Sequence, residues 1–274
     1  MRHLPTPRDT ERLTTEELRE RFLVTGLFVP GESRIEPIDL DRVVLGGVVP
    51  LERPLALEAA EELAARSFTE RRELGVLNIG GAGRVTVDGA SHALARRDMV
   101  YVGRGMHDVG FSSDRADDPA RFFLVSYPAH AEHPTVRIAA TDADSAELGT
   151  TERANRRRLA RYVHPGGAPS AQLVMGVTSL HEGNVWNTMP PHTHVRRTEI
   201  YLYFDLPADG VVFHLLGAPG ATRHLVVRDG EVALSPSWSI HAGCGTTSYS
   251  FCWAMGGENQ EFADMQAVDA ALLR

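Results

Sequence analysis

Short apolar runs recur along almost the whole chain at near-regular spacing, divided by glycines and Asp-Gly pairs, and this cadence constrains the fold more than any other feature. Runs at 75–79, 84–87, 98–102, 122–126, 199–204, 210–216, 224–227, 231–234 and 248–254 have the length of strands. Asp88-Gly89 and Asp229-Gly230 supply the residue types that tight hairpin turns require. The spacing is that of an all-β sandwich or barrel. Three stretches read as helix instead. Residues 14–23 open with a capping box, Thr14 at the cap and Glu17 three residues on, 55–66 are rich in Ala, Leu and Glu, and 264–273 close the chain.

The cadence occurs twice. Arg71-Arg72-Glu73 precedes a strand in the first half, as Arg196-Arg197-Thr198-Glu199 does in the second. Each is followed by strands, an Asp-Gly turn, a further strand and a small-residue loop ending in histidine, His107 or His241. The expected organisation is an N-terminal arm at 1–40, one barrel at 41–135, a linker at 136–170 rich in Ala, Asp, Arg and Pro, and a second barrel at 171–274.

Composition excludes several functions. A net charge of −8 speaks against nucleic acid as the main partner, because phosphate binding wants a basic face. No apolar run approaches the roughly 20 residues of a membrane-spanning helix, and residues 1–9 lack the apolar core of a signal peptide. Cys244 and Cys252 are therefore expected to be reduced, buried and structural, in a cytoplasmic protein. All 28 basic residues are arginine. Without lysine, Schiff-base catalysis, lysine-anchored pyridoxal phosphate and the phosphate-loop lysine are excluded. Carbonyl chemistry must then rest on a metal or on plain acid–base groups, and an anionic substrate on arginine or backbone amides.

Pro191-His192-Thr193-His194 places two imidazoles at i and i+2, on one face of a strand. Glu199 follows five residues later, and a corner at 195–198 is needed to turn it to the same side. His241 arrives behind Pro236 and a tight loop. Three neutral imidazoles and a carboxylate suit a divalent transition ion with room for water or substrate. The first half offers only Glu73 and His107 at the corresponding places, too few for a tight site, so that barrel is expected to be structural or to build a subunit interface. His92, His130, His133 and His164 are read as surface or loop residues.

This pattern resembles the cupin superfamily, whose first motif is His-x-His, three or four residues and Glu, and whose second ends in a lone His. The resemblance implies two cupin-like double-stranded β-barrels, a bicupin. Leu206, Trp238 and Gly245 depart from the motifs' usual Gly, Gly and Asn, and leave the four ligand positions untouched. Longer stretches are more particular: 68–83, 180–197 with Trp186-Asn187-Thr188-Met189-Pro190, 235–243, and Trp253-Ala254-Met255-Gly256-Gly257-Glu258-Asn259-Gln260. Together these are similar to the 5-keto-4-deoxyuronate isomerase family, the 4-deoxy-L-threo-5-hexosulose-uronate ketol-isomerases of pectin breakdown, over about 21–274.

That resemblance implies a zinc enzyme, one ion per subunit and often hexameric. It would convert 5-dehydro-4-deoxy-D-glucuronate to 3-deoxy-D-glycero-2,5-hexodiulosonate, with His192, His194, Glu199 and His241 as ligands. Beside them, Glu199, Tyr201 and Tyr203 share parity and are expected to face inward as candidate catalytic groups. Arg196, Arg197 and Arg223 are candidate clamps for a substrate carboxylate, and Glu258 a candidate acid behind the ligands. Two rival functions use the same features: a metal-dependent cupin dioxygenase, and a non-catalytic bicupin that binds sugar acids.

Overall fold

The structure is a computed structural model that describes residues 1–261 and 263–274. The chain divides into two compact units that interleave in sequence: residues 1–2, 26–144 and 161–175 form one, and 3–25, 145–160 and 176–274 the other. The expected boundaries differ from these. The 1–40 arm is split, since 3–25 fall in the second unit. The 136–170 stretch is more than a linker, because it contributes the strands Val136–Ile138, Asp144–Leu148 and Arg157–Val163. Its Ala, Asp and Arg hide strands whose exposed faces are polar.

The first unit is built on a seven-stranded sheet and a four-stranded sheet. The larger runs in the order Arg2–His3, Ser33–Asp39, Val44–Val48, Phe122–Pro128, Arg72–Asn78, Met99–Val102, Val136–Ile138. The smaller runs Leu55–Ala56, Val109–Ser113, Gly83–Val87, Ala90–Leu94. Alternate residues of both sheets meet in one apolar core: Leu74, Val76, Val100, Val102, Phe122 and Leu124 from the larger, Val85, Val87, Leu94, Val109 and Phe111 from the smaller. The rings of Phe111 and Phe122 lie 5.3 Å apart across it. This is the two-period alternation that a sheet with a buried face demands.

The second unit repeats the plan. Its larger sheet runs Asp144–Leu148, Arg157–Val163, Val174–Leu180, Ser250–Gly257, Arg197–Phe204, Val232–Ser235, Leu23–Val24, and its smaller sheet Ala221–Val227, Val212–Ala218, His241–Gly245, Trp186–Thr193, Gln266–Ala267. The helix Thr15–Phe22 bears the expected capping box, with Thr14 and Glu17 bonding each other's backbone. Phe22 packs edge-on against Trp238, their rings 6.3 Å apart.

Two expected helices do not form. In 55–66 only Glu61–Leu63 makes a single 3-10 turn, because Leu55–Ala56 is drawn into pairing with Gly110 and Phe111. In 264–273, Gln266–Ala267 pairs with Thr193 and His192, and only Ala270–Leu272 turns, capped by Asp269. In both places an available sheet edge outweighs local helix propensity. Both cysteines are free; Cys252 is buried as expected, but Cys244 is only half-buried. No helix among the described residues is long and apolar enough to cross a membrane.

Candidate metal centre

The strand Trp186–Thr193 is broken by an irregularity between Asn187 and His192, where Thr188 takes a left-handed conformation (φ 56°). Pairing resumes at His192 opposite His241. The chain then turns at Val195 and Arg196, with the Arg197 N–H donating to the His194 carbonyl at 3.2 Å, and enters the strand Arg197–Phe204. This is the corner expected from the spacing, and it brings Glu199 to face His192 and His194.

Four side chains converge there. His192 and His194 have their Nε2 atoms 3.1 Å apart, and His241 Nε2 lies 2.9 Å from His192 Nε2. Glu199 Oε2 is 3.1 Å from His194 Nε2 and 2.9 Å from His241 Nε2. All four ligand atoms lie within 4.8 Å of one another, a group that can hold a metal ion. Ligand atoms about a tetrahedral transition ion stand about 3.3 Å apart, close to these separations. The outer nitrogens are engaged: His194 Nδ1 meets the Asp264 carbonyl at 3.0 Å, and His241 Nδ1 lies 3.4 Å from Ser235 Oγ. That arrangement leaves Nε2 lone pairs directed inward, as metal-bound imidazoles require.

The electrostatics suit a cation. Burial alone would raise the Glu199 carboxyl, but His241 and His194 carry it well below the usual carboxylate range. Burial, with His241 beside it, pushes His192 down to about 3, so that ring is neutral at physiological pH. Burial opposes a proton on His194 as well, yet its hydrogen bond to Glu199 raises it.

Three of the four, His192, His194 and Glu199, line a cavity of about 270 Å³, near the lower end of the small-ligand range. Leu148, Leu159, Phe251, Trp253, Met255 and Met265 make its walls largely apolar, and Asn187, Thr188 and Thr178 add polar atoms. Trp253 donates its indole N–H to Thr178 Oγ1 at 3.1 Å. It lies so close to Gly176 that a Cβ there would stand 2.2 Å from the indole ring.

The other sequence expectations separate here. Tyr201 lines the cavity; burial, then the Glu199 charge and Tyr203, holds its hydroxyl proton well above the ordinary tyrosine range. Tyr203 points inward too but does not line the cavity, and its hydroxyl is tied to His214 Nδ1 at 2.7 Å in a buried pair. Its expected catalytic place is therefore corrected to a core one.

None of the three expected clamp arginines lines the cavity. Arg196 sits in the exposed turn, 4.0 Å from an equally exposed Glu258, which removes Glu258 from behind the ligands. Arg197 is buried and donates to the Asp264 carbonyl at 3.1 Å, the same oxygen that meets His194. Arg223 donates to the carbonyls of Thr10, Glu11 and Leu13, fastening the N-terminal segment. Adjacency in sequence to the ligands misled, because a corner turns its own residues outward.

The arginine that does line the cavity is Arg157, missed because it lies in the stretch read as a linker. The alternation Arg157, Leu159 was the available signal. Asn187 and Thr188 stood in a quoted stretch, but nothing in their spacing assigned them a place. His107 is exposed in the first unit, and His92, His130, His133 and His164 are half-buried or exposed.

Comparison with known proteins agrees with this architecture. The sequence model of the KduI/IolB family matches residues 40–271. The chain belongs to the KduI/IolB family. A relative from Kineococcus radiotolerans, named 4-deoxy-L-threo-5-hexosulose-uronate ketol-isomerase, is 52% identical over 276 residues, covering 100% of this chain and 99% of its own. One from Opitutus terrae with the same name is 50% identical over 275 residues, with the same coverage. Among solved structures, an IolB-like protein from Salmonella typhimurium superposes with a TM-score of 0.75 at 13% identity, over 90% of this chain and 96% of that one. Oxalate decarboxylase from Lactobacillus farciminis gives 0.59 at 10% identity, covering 89% of each chain. At such identities the likeness is one of fold, and the fold is the all-β cupin type expected from the sequence.

Proposed function

We propose that this KduI/IolB-family chain is a metal-dependent ketol isomerase that converts 5-dehydro-4-deoxy-D-glucuronate to 3-deoxy-D-glycero-2,5-hexodiulosonate. The observation that carries the reading is the three-histidine, one-glutamate cluster beside a small cavity, in a chain 52% identical along its length to a relative so named. The ion would be held by His192, His194, Glu199 and His241, one per chain. Zinc is the ion that the family resemblance implies, and three imidazoles with one carboxylate are ligands that it accepts. A divalent ion there would supply Lewis acidity toward a substrate carbonyl.

The rest is done by the chain's own side chains. An aldose–ketose interconversion removes a proton from the hydroxyl-bearing carbon, returns one to the former carbonyl carbon, and exchanges a hydroxyl proton between the two oxygens. Tyr201 Oη, kept protonated by burial and by Glu199, donates a hydrogen bond to a substrate oxygen where negative charge develops. The Asn187 amide and the Thr188 hydroxyl offer further donors to the sugar's hydroxyl and keto oxygens. The apolar walls keep water from the enediolate. The two free cysteines support a cytoplasmic location, and the family resemblance adds a hexameric assembly to this proposal.

The test is direct. Metal-loaded protein, incubated anaerobically with the keto-uronate and followed by NMR, is expected to interconvert aldehyde and ketone with no oxygen consumed. No turnover despite a full complement of metal would refute the isomerase reading. Oxygen-dependent loss of substrate would put a dioxygenase in its place.

A further inference from the structure

A hexuronate carries its reacting aldehyde and its carboxylate at opposite ends of a six-carbon chain. If the aldehyde end lies at the His–Glu cluster, the carboxylate must be met elsewhere in the cavity. We propose that Arg157 binds that carboxylate and thereby selects acidic over neutral sugars. This rests on the isomerase reading for the identity of the sugar, but not for the charge it recognises.

Arg157 is the cationic side chain among the cavity's lining residues, whose remaining walls are apolar or neutral except for the cluster's own Glu199 and histidines. It heads the strand Arg157–Val163, and its side chain shares a face with Leu159, which also lines the cavity. Its guanidinium is incompletely used. One terminal nitrogen donates to the Asn155 carbonyl at 2.9 Å, while Nε is buried with no hydrogen-bond partner. Among the described residues no carboxylate forms an ion pair with it; burial lowers its pKa, and the hydroxyls of Tyr249 and Tyr201 oppose that shift.

A half-buried arginine with no carboxylate partner among the described residues carries a desolvation cost that an anion in the cavity would offset. A carboxylate entering the cavity supplies the missing countercharge, and it would meet the terminal nitrogens rather than the buried Nε. Arg196 is exposed and Arg223 is spent on backbone carbonyls, while Arg197, although its Nε and one terminal nitrogen also have no partner, does not line the cavity. Arg157 and Tyr201 line the same cavity as His192, His194 and Glu199, so one ligand there can meet both the guanidinium and the cluster.

The experiment compares the keto-uronate with its methyl ester, which keeps the sugar and removes the charge. For the wild-type protein both the KM of turnover and the calorimetric affinity are expected to favour the acid by about 100-fold, the scale of a buried bidentate ion pair. Arg157→Leu is expected to lose that preference to within about threefold while keeping its metal content and its KM for the ester. Arg157→Lys, a point charge without the paired terminal nitrogens, should recover about tenfold.

The two readings fail separately. Wild-type protein that binds the acid selectively without turning it over would refute the isomerase and keep Arg157's role. Turnover of acid and ester alike, or an Arg157→Leu protein that still prefers the acid, would keep the isomerase and overturn the assignment to Arg157. Should Arg157→Leu fail to fold, the wild-type acid-to-ester ratio and the Arg157→Lys protein decide it.

Discussion

Glu73 in the first unit and Glu199 in the second each follow a pair of arginines at the start of a central strand, yet they face opposite ways. Leu74 and Val76 point into the first unit's apolar core, so Glu73 points to the other face of its strand. There it accepts hydrogen bonds from the Tyr101 hydroxyl at 2.7 Å and from the backbone N–H groups of Ala171, Gln172 and Leu173 at 2.7, 2.8 and 2.8 Å. Glu199 points into the second unit's interior, toward three imidazoles. The second pattern contains one more residue, Thr198, between the arginine pair and the glutamate. Because side chains alternate along a strand, one residue decides which face a carboxylate occupies. The same residue type thus ties a crossing segment in one unit and completes a metal centre in the other.

The comparison is most easily broken at the ligands. His241→Ala is expected to lose its metal and to drop turnover by roughly a thousandfold or more, while circular dichroism shows the strands intact. Retention of metal and activity would place the centre elsewhere. Tyr201→Phe should keep the metal and lower kcat by about 10- to 100-fold, read in steady-state kinetics. An unchanged kcat would remove Tyr201 from the chemistry.

In the first unit the expected effects move from activity to stability. Glu73→Gln leaves buried donors poorly matched and should cost about 3 kcal/mol in chemical denaturation, with metal content and kcat unchanged. Loss of metal in that variant would contradict the division of labour. The smallest effect is expected of Tyr203→Phe, which loses the hydroxyl paired with His214 and should cost about 1 kcal/mol without altering kcat beyond about twofold.

Acid should also distinguish the units. His194 has its pKa raised in the metal-free fold, so its contribution to the stability of the stripped protein is present below the ordinary histidine value of about 6.5 and is lost as pH rises through the higher folded value. The proton that confers it competes with metal. Metal affinity is expected to weaken progressively as pH falls from about 8 to 6, followed by competition with a chelator. Glu199, shifted the other way, titrates below this window and leaves it unaffected. A pH-independent affinity would contradict His194 as a ligand.

Much of this was legible in sequence because it depended on short-range periodicity. The strands, the capping box at Thr14 and the corner between His194 and Glu199 follow from local spacing, and His241 joins them by its place behind Pro236 in the repeated plan. What was not legible depended on pairing at long range. The edge strands at Leu55–Ala56 and Gln266–Ala267 borrow their conformation from distant partners, so their helix-favouring residues misled. Tyr203 has the right parity, but parity cannot say how far along an interior a side chain lies, and His214 fills the space between. Arg157 reaches the cavity only because a stretch with a linker's composition is folded as a strand of the large sheet.

The central claim is that one of the two units holds one ion and that the ion is required. Stripped protein should be titrated with a divalent metal while bound metal and anaerobic keto-uronate isomerisation are measured together. No turnover is expected at zero metal, followed by a linear rise that saturates at one equivalent per chain, with His241→Ala flat throughout. Full turnover without metal, or a rise that saturates only at two equivalents per chain, would contradict it.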